Sequence, residues 1–296
     1  SVQYHAIVND WLGRVAFYLR SKDGVKWVTD PGEAYMPGIA VHKDGTKEDW
    51  FKYERIKIFQ DEQGRAIQAN FAVIDTLKNE DKPNDRHSSK NISLPLNPGV
   101  LMTLLDKKPI TAKTKEIRLL IKAESNFNPQ TEIDIPSLRF GASTEVNFGR
   151  GCKPIRTEQS GKDLIVIFDG QGNGITEDEF APKLLGKKKN GEMLFGYTRL
   201  PWVKYIEPIL SARKPEVITA NGKSQIKVVV ENFGQVASKQ TSVRIVSNVN
   251  DKETVLGKAK LSPIQPYGKT TVEIRPSESL SNYSPDSLKV VFGDKD

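Results

Sequence analysis

Side chains able to do acid–base or binding chemistry are concentrated in one short segment. Residues 49–57 read Asp-Trp-Phe-Lys-Tyr-Glu-Arg-Ile-Lys. Glu54 stands between an aromatic residue and Arg55, and Asp49 precedes Trp50. A carboxylate can transfer a proton or accept hydrogen bonds, an arginine supplies a fixed charge, and a tryptophan supplies a broad apolar ring. We therefore expect a functional site in this segment.

Cysteine chemistry is not indicated. Cys152 is the only cysteine, so the chain has no internal disulfide. A nucleophilic cysteine needs a histidine beside it, and His5, His42 and His87 are all remote from Cys152 in sequence. We expect Cys152 to be a small buried apolar side chain.

One loop has part of a calcium-binding pattern. Asp169-Gly-Gln-Gly-Asn-Gly174 has acidic or amide residues at the first and fifth positions and glycine at the sixth. The twelfth position, which needs a bidentate glutamate, is Phe180. The pattern predicts a turn from a strand into a short helix after Thr176, with no metal site and no cofactor, although calcium stays open as an alternative.

Composition excludes several classes of protein. The 296 residues are 37% hydrophobic and 27% charged, which is typical of packed cores and not of disorder. No apolar run approaches the ~18–20 residues that cross a bilayer. The net charge is +7, but the longest basic run is Lys187–Lys189, directly before an Asn-Gly turn. We therefore expect neither a membrane span nor nucleic-acid binding.

Almost every segment with a clear period is typical of a strand. Short runs of β-branched and aromatic residues alternate with glycine and proline turns, as in Lys52–Gln60 and Ala66–Ile74 around Asp61-Glu-Gln-Gly64. A polar stretch, Lys78–Lys90, is typical of a linker. The sequence predicts an all-β protein in three parts, residues 1–90, 91–203 and 204–296.

The third part resembles the bacterial cell-adhesion-related immunoglobulin-like module, through Lys227-Val-Val-Val-Glu-Asn-Phe-Gly-Gln-Val-Ala-Ser238 and the strand Gly268–Glu273. The first part resembles the blades of five-bladed propeller glycoside hydrolases, with family 43 the nearest. The matching motifs are Ser21-Lys-Asp-Gly-Val-Lys-Trp27 and the Glu54-Arg-Ile-Lys57 strand with its Asp61-x-x-Gly64 hairpin; Ile56 stands where the family has proline. The segment Asn84–Ile92 is similar to the exit from such a catalytic domain, and the middle part to its accessory β-sandwich.

The resemblance implies an inverting glycosidase, which uses an acid and a base about 6.5–9.5 Å apart. On this view Glu54 is the catalytic candidate, and His5, Asp49, Trp50 and Arg55 are the substrate-binding candidates. Each has a structural alternative: a surface pair for Glu54 and Arg55, packing between blades for Trp50, and a core histidine for His5. Residues 1–90 supply strands for roughly two blades at about four strands each. Most of the expected carboxylates would then lie in blades N-terminal to Ser1, and this chain alone is expected to be inactive.

The sequence thus predicts the C-terminal part of a periplasmic or extracellular bacterial glycosidase, with a polysaccharide or oligosaccharide as its substrate. Its partners would be the N-terminal propeller blades. The alternative is a non-catalytic all-β protein for carbohydrate binding or adhesion. In that case residues 1–90 would close into a small sandwich with its own core.

Overall fold

The computed structural model describes residues 2–10, 14–77, 89–220, 223–249 and 252–293. The chain is all-β, with short helical turns, and divides into two compact units, residues 1–203 and 204–296. Most of the expected linker, residues 78–88, lies outside the described residues.

The first unit begins with three small antiparallel sheets. The first sheet contains β1 (Tyr4–Asp10), β2 (Val15–Ser21) and β3 (Trp27–Tyr35). The second is a hairpin of β4 (Gly38–Val41) and β5 (Lys47–Trp50). The third contains β6 (Lys52–Gln60), β7 (Ala66–Ile74) and β8 (Lys90–Pro95).

One small core serves the third sheet and the hairpin. Alternate residues of β7 are buried, as the period of two in its sequence predicts. The buried members of this cluster are Trp50, Tyr53, Ala69, Phe71 and Val73. Ile92 and Leu94 of β8 pack against them. The expected boundary at residue 91 would put β8 in the middle part, whereas its backbone pairs with β7, from Val73↔Lys90 to Gln68↔Pro95.

The first sheet and the hairpin leave large apolar side chains exposed. Val8 is 52% exposed, Val28 47%, Ile39 65% and Val41 64%. Among the described residues of the first sheet, Ala16 is the one apolar side chain that is fully buried. This sheet therefore covers far less apolar surface than the third sheet does.

The middle of the first unit is a two-sheet sandwich. One sheet has the order β12 (Pro154–Ser160), β13 (Asp163–Asp169), β10 (Glu116–Ile121) and β9 (Met102–Leu104). The other has the order β11 (Ile133–Gly141), β14 (Lys183–Lys188) and β15 (Met193–Tyr197), with the helical turns α1 (Pro129–Glu132) and α2 (Ser143–Val146) beside β11. Residues of both sheets form one core, which includes Ile117, Leu119, Phe140, Phe168 and Leu184.

The second unit also has two antiparallel sheets. In one, β18 (Lys223–Asn232) pairs with β16 (Leu210–Ala212), β17 (Glu216–Ala220) and β21 (Lys269–Ile274). The other has the order β20 (Lys252–Leu261), β19 (Thr241–Val249) and β22 (Leu288–Phe292). Short 3₁₀ turns span Leu280–Asn282 and Pro285–Ser287. Ile226, Val228 and Val230, alternate residues of β18, pack with Val243 and Ile245 in a shared core.

No helix in the described part of the chain is long and apolar enough to cross a membrane.

Candidate functional site

Two of the sequence-predicted residues, Asp49 and Trp50, line one cleft. Antiparallel pairing explains where it lies: Gly38 opposes Trp50 at the end of the hairpin, and Lys52 opposes Ile74 where β6 begins and β7 ends. This brings Asp75 beside Phe51. The cleft has a volume of about 210 Å³ and is lined by Arg14, Pro37, Gly38, Asp49, Trp50, Phe51 and Asp75. We call it the Asp49 cleft.

The Asp49 cleft contains both hydrogen-bond donors and acceptors. The Arg14 guanidinium lies 4.2 Å from the centroid of the Phe51 ring and donates to the Phe51 carbonyl at 3.2 Å. The backbone of Arg14 has a φ of 61°, unusual for a residue other than glycine. Asp49 is exposed, and its carboxylate bonds to no described residue. Two acidic residues, Asp49 and Asp75, and one arginine therefore line the same small space.

Trp50 lines the Asp49 cleft as an almost fully buried side chain. The residue is 2% exposed and packs with Tyr53 and Phe71. Its buried Nε1 has no hydrogen-bond acceptor among the described residues. A buried indole N–H normally has one. The ring is too enclosed to serve as a stacking platform for a ligand.

Glu54, the catalytic candidate, lies on β6 and not in the Asp49 cleft. Its Oε1 is 2.7 Å from Nζ of Lys52, and its side chain is 34% exposed. Desolvation raises the pKa of the Tyr35 phenol, and the nearby charge of Glu54 adds to this rise. Glu54 is therefore half-buried and ion-paired, next to a tyrosine.

Arg55 lies in a β-bulge. The register of β6 and β7 shifts between Glu54 and Lys57, and Arg55 has a φ of 52°. A bulge changes the direction of the neighbouring side chains. A left-handed backbone conformation at a residue other than glycine costs of order 1–3 kcal/mol of conformational free energy. The Arg55 side chain is exposed. Glu54 and Arg55 thus lie at a strained point of an otherwise regular sheet.

His5 lies apart from these residues, at the start of a chain of polar side chains that ends in the sandwich. Its Nδ1 is hydrogen-bonded to the hydroxyl of Tyr18, and Tyr18 bonds in turn to Tyr197 of β15. His5 keeps accessible surface. The surrounding protein nevertheless lowers the pKa of its imidazole to about 4, through desolvation and then through the charge of Arg20. Desolvation likewise raises the pKa of Tyr197 to about 12.

Arg20 of β2 is the centre of a buried charge cluster that no sequence motif predicts. Its Nε lies 2.7 Å from Oδ1 of Asp30, and its Nη1 lies 3.6 Å from Oε1 of Glu179. Nη1 also donates to the Gln3 side chain at 3.2 Å and to the Ala181 carbonyl at 3.4 Å. This Arg20 cluster joins the first sheet to the loop before β14.

Lys183, which opens β14, lies next to the Arg20 cluster. Its Nζ is 5.7 Å from the centroid of the Tyr197 ring and donates to Oδ1 of Asn147 at 2.6 Å. Desolvation lowers the pKa of the ammonium. The sandwich therefore presents a cation, a carboxylate and a phenol to the first sheet.

The loop with the calcium-like pattern is held by its own side chains. Asn173 donates to the Gly170 carbonyl at 2.7 Å and accepts from the Ile175 amide at 2.8 Å, while Oδ1 of Asp169 accepts from the Lys153 amide at 3.1 Å. The helix expected after Thr176 is wrong, since residues 176–182 form turns and β14 follows. Within the described ranges no three metal-binding side chains are grouped.

Cys152 is fully buried in the sandwich core. Desolvation raises the pKa of its thiol to about 12. This fits the structural role expected from the sequence.

The structure thus brings Asp49 and Trp50 together, and leaves Glu54, Arg55 and His5 elsewhere on the first unit. Arg14 and Asp75 complete the cleft and are not predicted as site residues. Asp75 could have been predicted from the hairpin of β6 and β7, because pairing of Lys52 with Ile74 places Asp75 next to Phe51. No protein-family model matches the chain, and no curated protein matches it.

Proposed function

We propose that this chain is the carbohydrate-handling C-terminal part of a bacterial polysaccharide-degrading glycosidase, secreted or periplasmic. In this proposal the three small sheets are propeller-blade elements, the middle sandwich is an accessory domain, and the second unit is an immunoglobulin-like module. The enzyme would be inverting, with most of its catalytic carboxylates in further blades.

The observation that carries the proposal is the uncovered first sheet. Val8 and Val28 are each about half exposed, on strands whose composition is that of packed strands. Sheets in a propeller stack face to face around a common axis, so each needs neighbours on both faces. A small sandwich that folded independently would be expected to bury these side chains in its own core, since apolar sheet faces left exposed favour aggregation.

The bulge at Arg55 supports a functional role for Glu54. Bulges are frequent next to active sites because they re-aim side chains. Glu54 is held in an ion pair with Lys52 at 2.7 Å, with Tyr35 nearby. In the complete enzyme we propose Glu54 as a carboxylate at the sugar, with Arg55 and His5 as binding residues.

The test is affinity electrophoresis of the protein through gels that contain one neutral or acidic polysaccharide each, together with a reducing-sugar assay. The proposal predicts retardation by at least one polysaccharide and no sugar release by this chain alone. Equal mobility in every gel would contradict the proposal. Binding located entirely in residues 204–296 would favour the alternative, a non-catalytic adhesion or binding protein.

A further inference from the structure

We infer that the outer edge of β21 is a dimer interface, at which β21 pairs antiparallel with β21 of a second copy of this chain. The pairing is centred on Thr271, so that Lys269 of each copy lies opposite Glu273 of the other. This surface belongs to the second unit and is independent of the proposed carbohydrate chemistry.

The outer edge of β21 is open. The strand pairs with β18, and no other described strand lies on its far side. Lys269, Thr271 and Glu273 are exposed along it. A groove of about 570 Å³ lies beside the strand, lined by residues 259–265 and 268–273. An open strand edge of this kind is a template for pairing with a further strand.

The backbone hydrogen bonds of β21 show which of its groups face this edge. The Asn232 amide donates to the Gly268 carbonyl at 2.9 Å, and Lys269 is in the next pair of the same register. In an antiparallel ladder, pairs that exchange hydrogen bonds alternate with pairs that do not. Because Gly268 is bonded to β18, the N–H and C=O of Lys269 point to the open edge, and so do those of Thr271 and Glu273.

The other side of β18 has the complementary pattern. The Phe233 amide donates to the Ile209 carbonyl at 2.8 Å, and the Arg213 amide donates to the Val229 carbonyl at 2.9 Å. The odd-numbered residues of β18 therefore bond away from β21, and its even-numbered residues bond toward β21. This agrees with the orientation derived from the hydrogen bond of Gly268.

A second copy related by a two-fold axis at Thr271 satisfies all the outward-facing groups. Thr271 then pairs with its counterpart, and Lys269 pairs with Glu273 in both directions. Each of these bonded pairs exchanges two hydrogen bonds. The same surface serves both copies, as a two-fold interface requires.

The charges on β21 are complementary under this symmetry. Lys269 and Glu273 lie directly opposite each other on the exposed face, where opposite charges attract across strands. Oε2 of Glu273 accepts from the Gln225 side-chain amide at 2.8 Å, which leaves Oε1 for the lysine. In the described part of the chain, Lys269 has no ion-pair partner of its own.

Neighbouring registers lose the charge match. Moving the axis to Thr270 places Lys269 opposite Thr271, without an ion pair. Moving the axis to Val272 places Lys269 opposite Arg275, and like charges directly opposite each other are destabilising. The charges therefore select the register centred on Thr271.

The other edge strands of the second unit are less suited to self-pairing. Among those described, β21 alone carries both signs of charge in equal number. β20 has three lysines and one glutamate, β22 has only Lys289 as a charged residue, and β17 has only Glu216. Two copies of any of these strands would carry an excess of like charge.

The expected dimer is weak. β21 has six residues, and a pair of such strands buries less than the ~1,200 Å² of a standard interface. Each copy also has a net charge of +7, which opposes association. We therefore expect a reversible dimer that is populated at high protein concentration.

The experiment measures the mass of the whole protein by small-angle X-ray scattering over a concentration series up to about 1 mM. Every sample carries Val28→Thr and Ile39→Thr, so that association through the first unit does not contribute. We expect the mass to rise from that of a monomer toward that of a dimer.

Charge reversal tests the named pairs. Lys269→Glu and Glu273→Lys each place like charges opposite each other at both ends of the pairing. Each is expected to raise the dimer dissociation constant about tenfold or more. Lys260→Glu is the matched control, because Lys260 is exposed and lines the same groove from β20, and no loss of dimer is expected there.

Mixing the two single variants tests the register and guards against misfolding. In an equimolar mixture of Lys269→Glu and Glu273→Lys, one strand has two acids and the other has two lysines at the paired positions. The mixed dimer is therefore expected to form at least as well as the dimer without these changes. The double variant, which exchanges the two charges within one chain, is expected to dimerise like the unchanged β21.

Three results would overturn the inference. The first is a monomer at every concentration up to about 1 mM. The second is dimerisation of both single variants equal to that of the Lys260→Glu control. The third is a mixture of the two variants that stays as monomeric as each variant alone.

Discussion

Arg20 and Asp30 form an ion pair of 2.7 Å while their side chains are only 4% and 7% exposed. Arg20 also lies 3.6 Å from Glu179, whose side chain is 8% exposed. A buried guanidinium between two buried carboxylates ties β2 and the bulge of β3 to the sandwich. The first sheet, which buries little apolar surface, is therefore attached to the rest of the unit in part by this buried charge cluster.

Removing Arg20 is expected to destabilise the first unit strongly. The variant Arg20→Met leaves Asp30 and Glu179 buried without their cation, which typically costs about 3–5 kcal/mol of the free energy of unfolding. Urea denaturation followed by circular dichroism measures the loss. The matched control is Arg156→Met, because Arg156 pairs with Glu116 at 2.7 Å but is 48% exposed, and little change is expected there. Equal effects of the two substitutions would show that the Arg20 cluster is not a stabilising link.

The His5 imidazole is expected to stay neutral well below pH 6. Its pKa of about 4, against 6.5 in an unfolded chain, means that the unfolded state binds more protons between these pH values. The free energy of unfolding therefore falls as the pH is lowered through this window, and the His5→Gln variant lacks that part of the fall. Titration of the imidazole resonances by NMR gives the pKa directly. A midpoint near 6.5 for His5 would contradict the dense environment that the structure gives it.

Cys152 is expected to be inert to thiol reagents in the folded protein. The thiolate is the reactive species, and burial raises the pKa of this thiol to about 12. Labelling with a chromogenic disulfide at pH 8 should be negligible before urea is added and complete after unfolding. Fast labelling of the native protein would mean that the sandwich opens around Cys152.

The exposed apolar side chains of the first sheet and of the hairpin should promote self-association. Replacing Val28 and Ile39 together by threonine is expected to lower dye binding and self-association, and to change the free energy of unfolding by no more than about 0.5 kcal/mol. Ile218→Thr is the control, because Ile218 is 45% exposed on β17 in the other unit. If both variants self-associate like the unchanged protein, Val28 and Ile39 belong to no stacking surface, and the main support for the propeller proposal is lost.

The regular strands could be predicted from the sequence because their side chains alternate. β6 and β7 occupy the expected ranges, Lys52–Gln60 and Ala66–Ile74. β3 (Trp27–Tyr35) contains Asp-Pro-Gly at residues 30–32, a sequence typical of a turn. In the structure β3 continues, and residues 30–32 form a bulge between the pairs Leu19↔Thr29 and Phe17↔Glu33. The turn-forming residues alone could not reveal that pairing with β2 would extend β3 beyond residues 30–32.

Contacts between residues far apart in sequence also explain why the helix predicted after Thr176 is absent and why the Arg20 cluster was not predicted. Glu179 has the position of a helix-starting acid, but its carboxylate accepts from the Phe180 and Ala181 amides and faces Arg20 from more than 150 residues away in sequence. A long-range ion pair leaves no periodic trace. The Asp49 cleft was partly predictable, because Asp49 and Trp50 are neighbours in sequence, whereas Arg14 and Asp75 reach the cleft only through strand pairing.

Hydrogen exchange measured by mass spectrometry, with and without the polysaccharide selected by affinity electrophoresis, tests the account most directly. The account predicts slower exchange in peptides covering residues 14–20, 37–51 and 71–77, which include the Asp49 cleft, and unchanged exchange in residues 204–293. Protection confined to residues 204–293 would contradict it and would assign carbohydrate binding to the second unit.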